Sequence, residues 1–193
     1  MKDTRGFIVE SAFRLFIERG YEGASMADLV TATGFSKGAV YHHFRDKDAL
    51  YDAAIEHFFL RFFGADERLA PAADEGLGVV LDDLCAGYVR LMDAVSAVVP
   101  DRIAYYRFVF SILPRVKLQI RGQIADARTR ITAAAARDQA RGKLAESLDP
   151  AAIADHCLAL IEGAALLCVI EGRDDIAVAL EQSVGNYRSL LRR

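Results

Sequence analysis

The sequence predicts an all-α fold of about nine helices: a small three-helix amino-terminal domain with a helix-turn-helix, then a larger helical domain. Three observations carry that prediction. Apolar residues recur at i, i+3 or i+4, and i+7 along most of the chain, the spacing of a helix buried on one face. No run of alternating apolar and polar residues reads as a half-buried strand. Glycines, prolines and capping Ser or Asp residues fall between the apolar stripes, where helices start and stop.

The elements follow in order. A first helix spans 4–19, with Ile8, Ala12, Leu15 and Phe16 on one face, and Gly20 ends it as a C-terminal cap. Ser25 can cap a second helix whose Met26, Leu29 and Val30 share a face, and Gly34 sits where the chain reverses. Ser36 can cap a third helix that carries Lys37, Tyr41, His42 and His43 outward and Val40 and Phe44 inward. Asp46 caps a fourth helix, 47–63, lined by Leu50, Ala54, Phe58 and Arg61. Residues 64–78, with Pro71 and several acids, read as a connection. A fifth helix, 77–99, lines up Leu77, Leu81, Leu84, Tyr88 and Leu91 before Pro100. Asp101 can cap a short sixth helix ending near Pro114, and 116–141 form a seventh, closed by Gly142. Pro150 suits the first turn of an eighth helix, which Gly172 closes. The last helix puts Ile176, Leu180, Val184, Tyr187 and Leu191 on one stripe. The domain division expected from this pattern is 1–46 and 47–193, with the fourth helix joining the two.

Composition narrows the function. With 53% hydrophobic residues and four prolines, the 193-residue chain is expected to be ordered. Its net charge of −3 and pI of about 5.8 do not describe a globally basic nucleic-acid binder, so any DNA-binding surface must be local. Residues 1–50 are themselves balanced, with seven Lys/Arg and seven Asp/Glu, but Lys37, Arg45, Lys47 and two histidines gather around the third helix. Cys85, Cys157 and Cys168 are far apart and in apolar surroundings, the pattern of reduced, buried thiols; a redox-sensing thiol would need a basic neighbour, and none is evident. Charged residues at the very start read against a signal peptide. Asp155, His156 and Glu162 interrupt the most apolar stretch, 151–170, and read against a membrane span. A cytoplasmic protein is expected.

Two short helices joined by a tight Gly-containing turn form a helix-turn-helix, whose second helix fits the major groove of DNA. Gly20-Tyr21-Glu22-Gly23-Ala24-Ser25-Met26, Thr33 to Phe44 and Asp46-Lys47-Asp48-Ala49-Leu50 resemble the amino-terminal domain of TetR-family (tetracycline-repressor-like) transcriptional regulators. The motif covers about the first quarter of the chain; the rest is compatible with the family in length and helical pattern. Ala39 departs from it, since Ser or Thr often stands there.

The DNA-contact candidates are Ser25, Thr31, Thr33, Ser36, Lys37, Gly38, Ala39, Tyr41, His42 and Lys47. Lys37 can reach a guanine edge or a phosphate. The resemblance implies phosphate or sugar contacts for Tyr41 and His42, and a phosphate contact for Lys47 at the start of helix four, where the helix amino terminus also favours an anion. The same basic residues fit an ordinary solvated face, and Tyr41 fits the core of the small domain. Adjacent His42 and His43 do not face one point, and nothing beside them completes a metal site, so neither metal nor cofactor is expected.

The resemblance further implies a homodimer on a palindromic double-stranded operator, built by the last two helices. Ala154, Leu158, Ile161, Ala164, Leu180, Val184 and Tyr187 are the interface candidates, a buried helix within one subunit being the alternative. It also implies an effector pocket between the middle helices. Phe58, Phe62, Leu84, Tyr88, Tyr106, Arg107, Phe110 and Gln123 are the candidates for lining it, around a small apolar or aromatic molecule, although aromatic stripes are more often core. Ligand would then tilt helix four and respace the recognition helices, releasing a repressor from its operator. An effector-free regulator and an all-helical binding protein or enzyme remain alternatives; no nucleophile elbow or phosphate-binding Gly-rich loop supports the last.

Overall fold

The computed structural model describes residues 3–60 and 75–192. Among them are eight α-helices: α1 Thr4–Gly23, α2 Met26–Thr33, α3 Lys37–His43, α4 Lys47–Ile55, α5 Leu77–Ser96, α6 Arg102–Ala140, α7 Pro150–Ile170 and α8 Ile176–Leu191. A π-helical turn, Glu56–Leu60, extends α4, and the extended backbone contributes one isolated bridge, Leu144 to Arg192. Contacts divide the chain into two compact units: Met1–Phe62 with Leu91–Lys117, and Phe63–Arg90 with Leu118–Arg193. The expected division at 46/47 does not coincide with this grouping.

In the first unit the apolar face of α1 (Ile8, Ala12, Phe13, Phe16) is fully covered. Phe13 stacks on Phe58 of the π-turn at 4.1 Å between centroids and meets Phe108 of α6 edge-on at 5.2 Å. Tyr51 of α4 sits between Phe16 and Tyr21, each at 4.7 Å. These rings join α1, α4 and the first half of α6 into one core, which is why the unit extends past residue 46. Gly20 takes φ 72° and breaks α1 where the cap was expected, although a further turn runs on to Gly23.

The expected break at Pro114 is absent: α6 runs through it. A mid-helix proline removes one hydrogen bond and crowds the preceding turn, at about 3 kcal/mol. Here Phe108, Ile112 and Val116 form a buried stripe on both sides of it, while Pro114 and Phe110 are exposed, so water can solvate the freed carbonyl. Packing outweighs the local rule.

In the second unit the carboxylate of buried Asp138, near the end of α6, accepts from the Leu77 amide at 2.9 Å and so caps α5, while Arg137 Nε donates to the Glu75 carbonyl at 2.9 Å. Helix α7 buries Ile153, Ala154, Cys157, Ile161 and Ala165, and α8 buries Leu180 and Val184. Polar interruptions do not in fact make α7 too polar to span a membrane: its mean hydropathy of 1.9 over eighteen residues passes by length and composition. Its place comes instead from packing, from the Arg128–Asp155 ion pair at 2.6 Å and from His156, whose Nδ1 hydrogen-bonds the Tyr187 hydroxyl at 3.0 Å.

Candidate nucleic-acid interface

Three helix starts in the first fifty residues are capped by their own side chains. Ser25 forms a reciprocal box with Asp28: the Asp28 amide donates to Ser25 Oγ at 3.1 Å, and the Ser25 amide donates to Asp28 Oδ2 at 2.9 Å. The Ser25 hydroxyl also donates to Asp28 Oδ2 at 2.5 Å, and that bond first, then the Ser25 amide's, holds the Asp28 carboxyl below the usual carboxylate range. Ser36 accepts from the Ala39 amide at 3.2 Å and Asp46 from the Ala49 amide at 2.8 Å. Between α2 and α3, Gly34 adopts φ 68°, a conformation a side chain disfavours. Leu29, Val40 and Phe44 anchor the pair inward.

The outward face of α3 then presents Lys37, Gly38, Tyr41 and His42, all exposed, with Ala39 half-buried. Tyr41 is thus no core residue; its ring lies 5.6 Å under the Lys37 ammonium. No atom lies within 4 Å of a Cβ placed on Gly38, so the helix is bare there and another backbone can approach it. Thr31 is exposed, with its hydroxyl donating to the Ala27 carbonyl at 2.9 Å. Thr33 does not join this face. It is buried, donates to the Val30 carbonyl at 2.8 Å and accepts from the Phe35 amide at 3.2 Å, so its hydroxyl closes the turn. Ser25 and Ser36 stand on the exposed side with their oxygens engaged in caps.

Lys47 is only half-exposed. Its Nζ donates to the Tyr21 carbonyl at 3.0 Å and lies 4.1 Å over the Tyr21 ring, which leaves further N–H donors on the ammonium. Asp48 accepts from the Tyr21 hydroxyl and from Arg115, and its carboxyl is held below the ordinary range for that reason, the Tyr21 bond being the larger cause. Tyr21 and Arg115, which hold Lys47 and Asp48, are not among the residues the sequence singles out as candidates. Tyr21 lies within the quoted motif, but the motif does not say that its carbonyl and ring receive a lysine 26 positions away. Arg115, 67 positions from Asp48, carries no sequence signal at all.

The effector candidates among the described residues are divided between the two units. Phe58 is buried against Phe13, as core; Tyr106 is half-buried, and Arg107 and Phe110 are exposed on α6. Leu84, Tyr88 and Gln123 belong to the second unit, each half-buried, and Phe62 lies outside the described residues, as does Arg61. A half-open cleft of about 270 Å³ in the first unit is lined by Arg14, Ile17, Glu18, Val98, Val99, Pro100, Asp101, Ala104 and Arg107. Its arginines are already turned to backbone carbonyls, Arg14 Nε to Val98 at 3.2 Å and Arg107 Nη2 to Ile17 at 3.4 Å.

Of the dimer candidates, Ala154, Ile161, Leu180 and Val184 are buried within the second unit, and Leu158, Ala164 and Tyr187 are half-covered. The four buried side chains pack inside the subunit. The exposed large apolar residues of α7 are Leu166, Leu167 and Ile170. Among the described residues no group of three or more His, Cys, Asp or Glu is arranged to hold a metal ion.

Comparison with known proteins follows the same division. Residues 8–54 match the family model for bacterial regulatory proteins, tetR family. The chain is 42% identical over 79 residues to the HTH-type transcriptional repressor Rv1474c of Mycobacterium tuberculosis, covering 41% of this chain and 39% of that protein. It is 27% identical over 169 residues to the HTH-type transcriptional regulator TtgR of Pseudomonas putida, covering 84% and 78%. Among solved structures, SmeT, the repressor of the Stenotrophomonas maltophilia multidrug efflux pump SmeDEF, matches with a TM-score of 0.64 at 22% identity, over 100% of this chain and 92% of that one. The last is a likeness of fold, and the match to Rv1474c spans well under half of that repressor.

Proposed function

We propose that the chain, whose residues 8–54 match the tetR family of bacterial regulatory proteins, is a dimeric, sequence-specific DNA-binding repressor that a small molecule releases from a palindromic operator. The observation that carries this reading is the face of α3, where Lys37, Gly38, Tyr41 and His42 are exposed beside a helix pair locked by its own caps. Residues 1–46 act as the DNA-binding domain and 47–193 carry ligand binding and dimerisation. Lys37 reads a base edge or meets a phosphate, Tyr41 and His42 meet phosphate or sugar, and Lys47 meets a phosphate with its remaining donors. Gly38 and Ala39 admit the groove wall. One helix-turn-helix covers one half-site, so a two-fold operator needs a second copy. The face of α7 with Leu166, Leu167 and Ile170 is the surface offered to it. As a repressor of bacterial genes the protein works in the cytoplasm.

The effector, an apolar or aromatic small molecule, must bind the DNA-incompetent arrangement more tightly than the competent one. The burial of Phe58 favours a second reading, a regulator of the same family without an effector. Thermal-shift measurements on apolar and aromatic compounds separate the two, since a stabilising compound that also weakens operator binding is expected only of the first. The function itself is tested by selecting duplexes from a random pool at two salt concentrations. An inverted repeat is expected; enrichment of no sequence refutes the reading.

A further inference from the structure

Within the first unit the helix-turn-helix is closed at its base by one joined pair of residues. Helices α2 and α3 lie between Tyr21, at the end of α1, and Lys47, at the start of α4, and Lys47 is bonded to the Tyr21 carbonyl at 3.0 Å. Arg115 of α6 grips the same junction from its other side. Its Nη atoms reach Asp48 Oδ1 at 3.2 and 3.3 Å, and its Nε reaches Asp52 Oδ1 at 2.8 Å. The guanidinium also stands 5.4 Å from the Tyr51 ring centre. Asp48 and Asp52 are one helical turn apart, so a rigid fork across both fixes the rotation of α4 about its axis as well as its distance from α6. The pairs are open to water, with Asp48 and Asp52 each 59% exposed, so they contribute little to folding. Their consequence is orientation.

We propose that Arg115 is a positioning residue for DNA binding: by clasping Asp48 and Asp52 it sets the pose of α4, and with it the placement of Lys47 and the helix-turn-helix that Lys47 and Tyr21 close. A second effect runs the same way. Asp46 and Asp48 flank Lys47 in the sequence and Asp52 follows one turn beyond Asp48, and Arg115 offsets two of these three negative charges. This role rests on the DNA-binding reading above.

A double-mutant cycle on the full chain tests it, using the duplex enriched by the wild type and a thermal melt of each variant. Arg115→Ala is expected to weaken operator binding roughly 3- to 30-fold with a nearly unchanged melt, the range of mutations that act through coupling rather than contact. Arg115→Lys should restore only part of the loss, because an ammonium cannot bridge both carboxylates as a fork does. Lys47→Ala should cost markedly less in the Arg115→Ala background than in the wild type, and Arg115→Ala alone should flatten the salt dependence. Losses that simply multiply, or an unchanged affinity for Arg115→Ala, overturn the proposal alone. Failure of the wild type to enrich any duplex overturns the DNA-binding reading and the proposal with it. Should Arg115→Ala not fold, Asp52→Asn removes the shorter pair and enters the same cycle, with the same coupling to Lys47 expected.

Discussion

Raising the salt concentration is the perturbation that reads the interface most directly. Three cations stand on or beside the α3 face in each subunit: Lys37, Arg45 and Lys47. Arg45 pairs with Asp46 at 2.9 Å, but with its side chain 86% exposed that pair is readily exchanged for a phosphate. A dimer therefore meets about six phosphates, and the logarithm of affinity should fall against the logarithm of salt with a slope of about −5. Between 50 and 200 mM salt that is a loss of roughly a thousandfold. Lys37→Ala removes one contact per subunit and should move the slope to about −4 if Lys37 holds a phosphate. If it reads a base instead, affinity falls while the slope stays, and preference at one base pair relaxes. The assay is fluorescence anisotropy on the enriched duplex across the salt series. A wild-type slope shallower than about −2 refutes the reasoning, because the exposed cations would then not be phosphate contacts.

Five further outcomes are expected. Phe58→Ala should lose about 3–5 kcal/mol in chemical denaturation, as a ring buried against Phe13 does, whereas Phe110→Ala, at 63% exposure, should stay within about 0.5 kcal/mol. Ser25→Ala breaks the box with Asp28 and should cost about 1 kcal/mol in the same measurement. The Asp28 carboxyl titrates below its unfolded value, so its contribution is present above the ordinary carboxylate range and lost on acidification through the lowered one; an Asp28→Asn variant should show a flatter acid limb. Burial pushes the thiols of Cys85 and Cys157 up to about 11 and about 12, so thiol-reactive dye should label them slowly at neutral pH and quickly only in denaturant; the stability they lend as neutral groups declines as pH climbs past the unfolded thiol value. Leu167→Glu should turn dimer into monomer in sedimentation, with helicity kept, and an intact dimer would locate the interface elsewhere.

What was legible in the sequence was what local chemistry decides. Ser25, Ser36 and Asp46 cap the helices expected of them, and Asp101 accepts from the Ile103 and Ala104 amides at 2.9 and 3.2 Å. Gly20, Gly34, Gly142 and Gly172 all take positive φ at the expected helix ends. Each of these depends on residues within four positions. Pro114 was misjudged because its neighbours in space, not in sequence, keep α6 running. The direction of a hydroxyl was equally invisible: Thr31 and Thr33 look alike in the sequence, yet one is exposed and the other closes the turn. Helix α7 is apolar nearly all round, and no periodicity says which flank meets the subunit's own helices. Ala154 and Ile161 took that flank, leaving Leu166, Leu167 and Ile170 outside.

The electrostatic balance explains how a chain of net charge −3 can present a DNA-binding face. The carboxylates nearest the helix-turn-helix are each held by something local. Asp28 is turned into the amino end of α2, Asp46 into that of α4, and Asp48 and Asp52 onto Arg115. A helix amino terminus and a guanidinium both offset negative charge over a few ångströms, within the distance at which salt leaves interactions unscreened. Lys37, at the start of α3, is exposed, with its ammonium over the Tyr41 ring. The field a phosphate meets there is set by Lys37, Arg45 and Lys47, not by the total charge. In the proposed interface Arg115, although it lies on α6, offsets the Asp48 and Asp52 carboxylates on the helix that Lys47 begins.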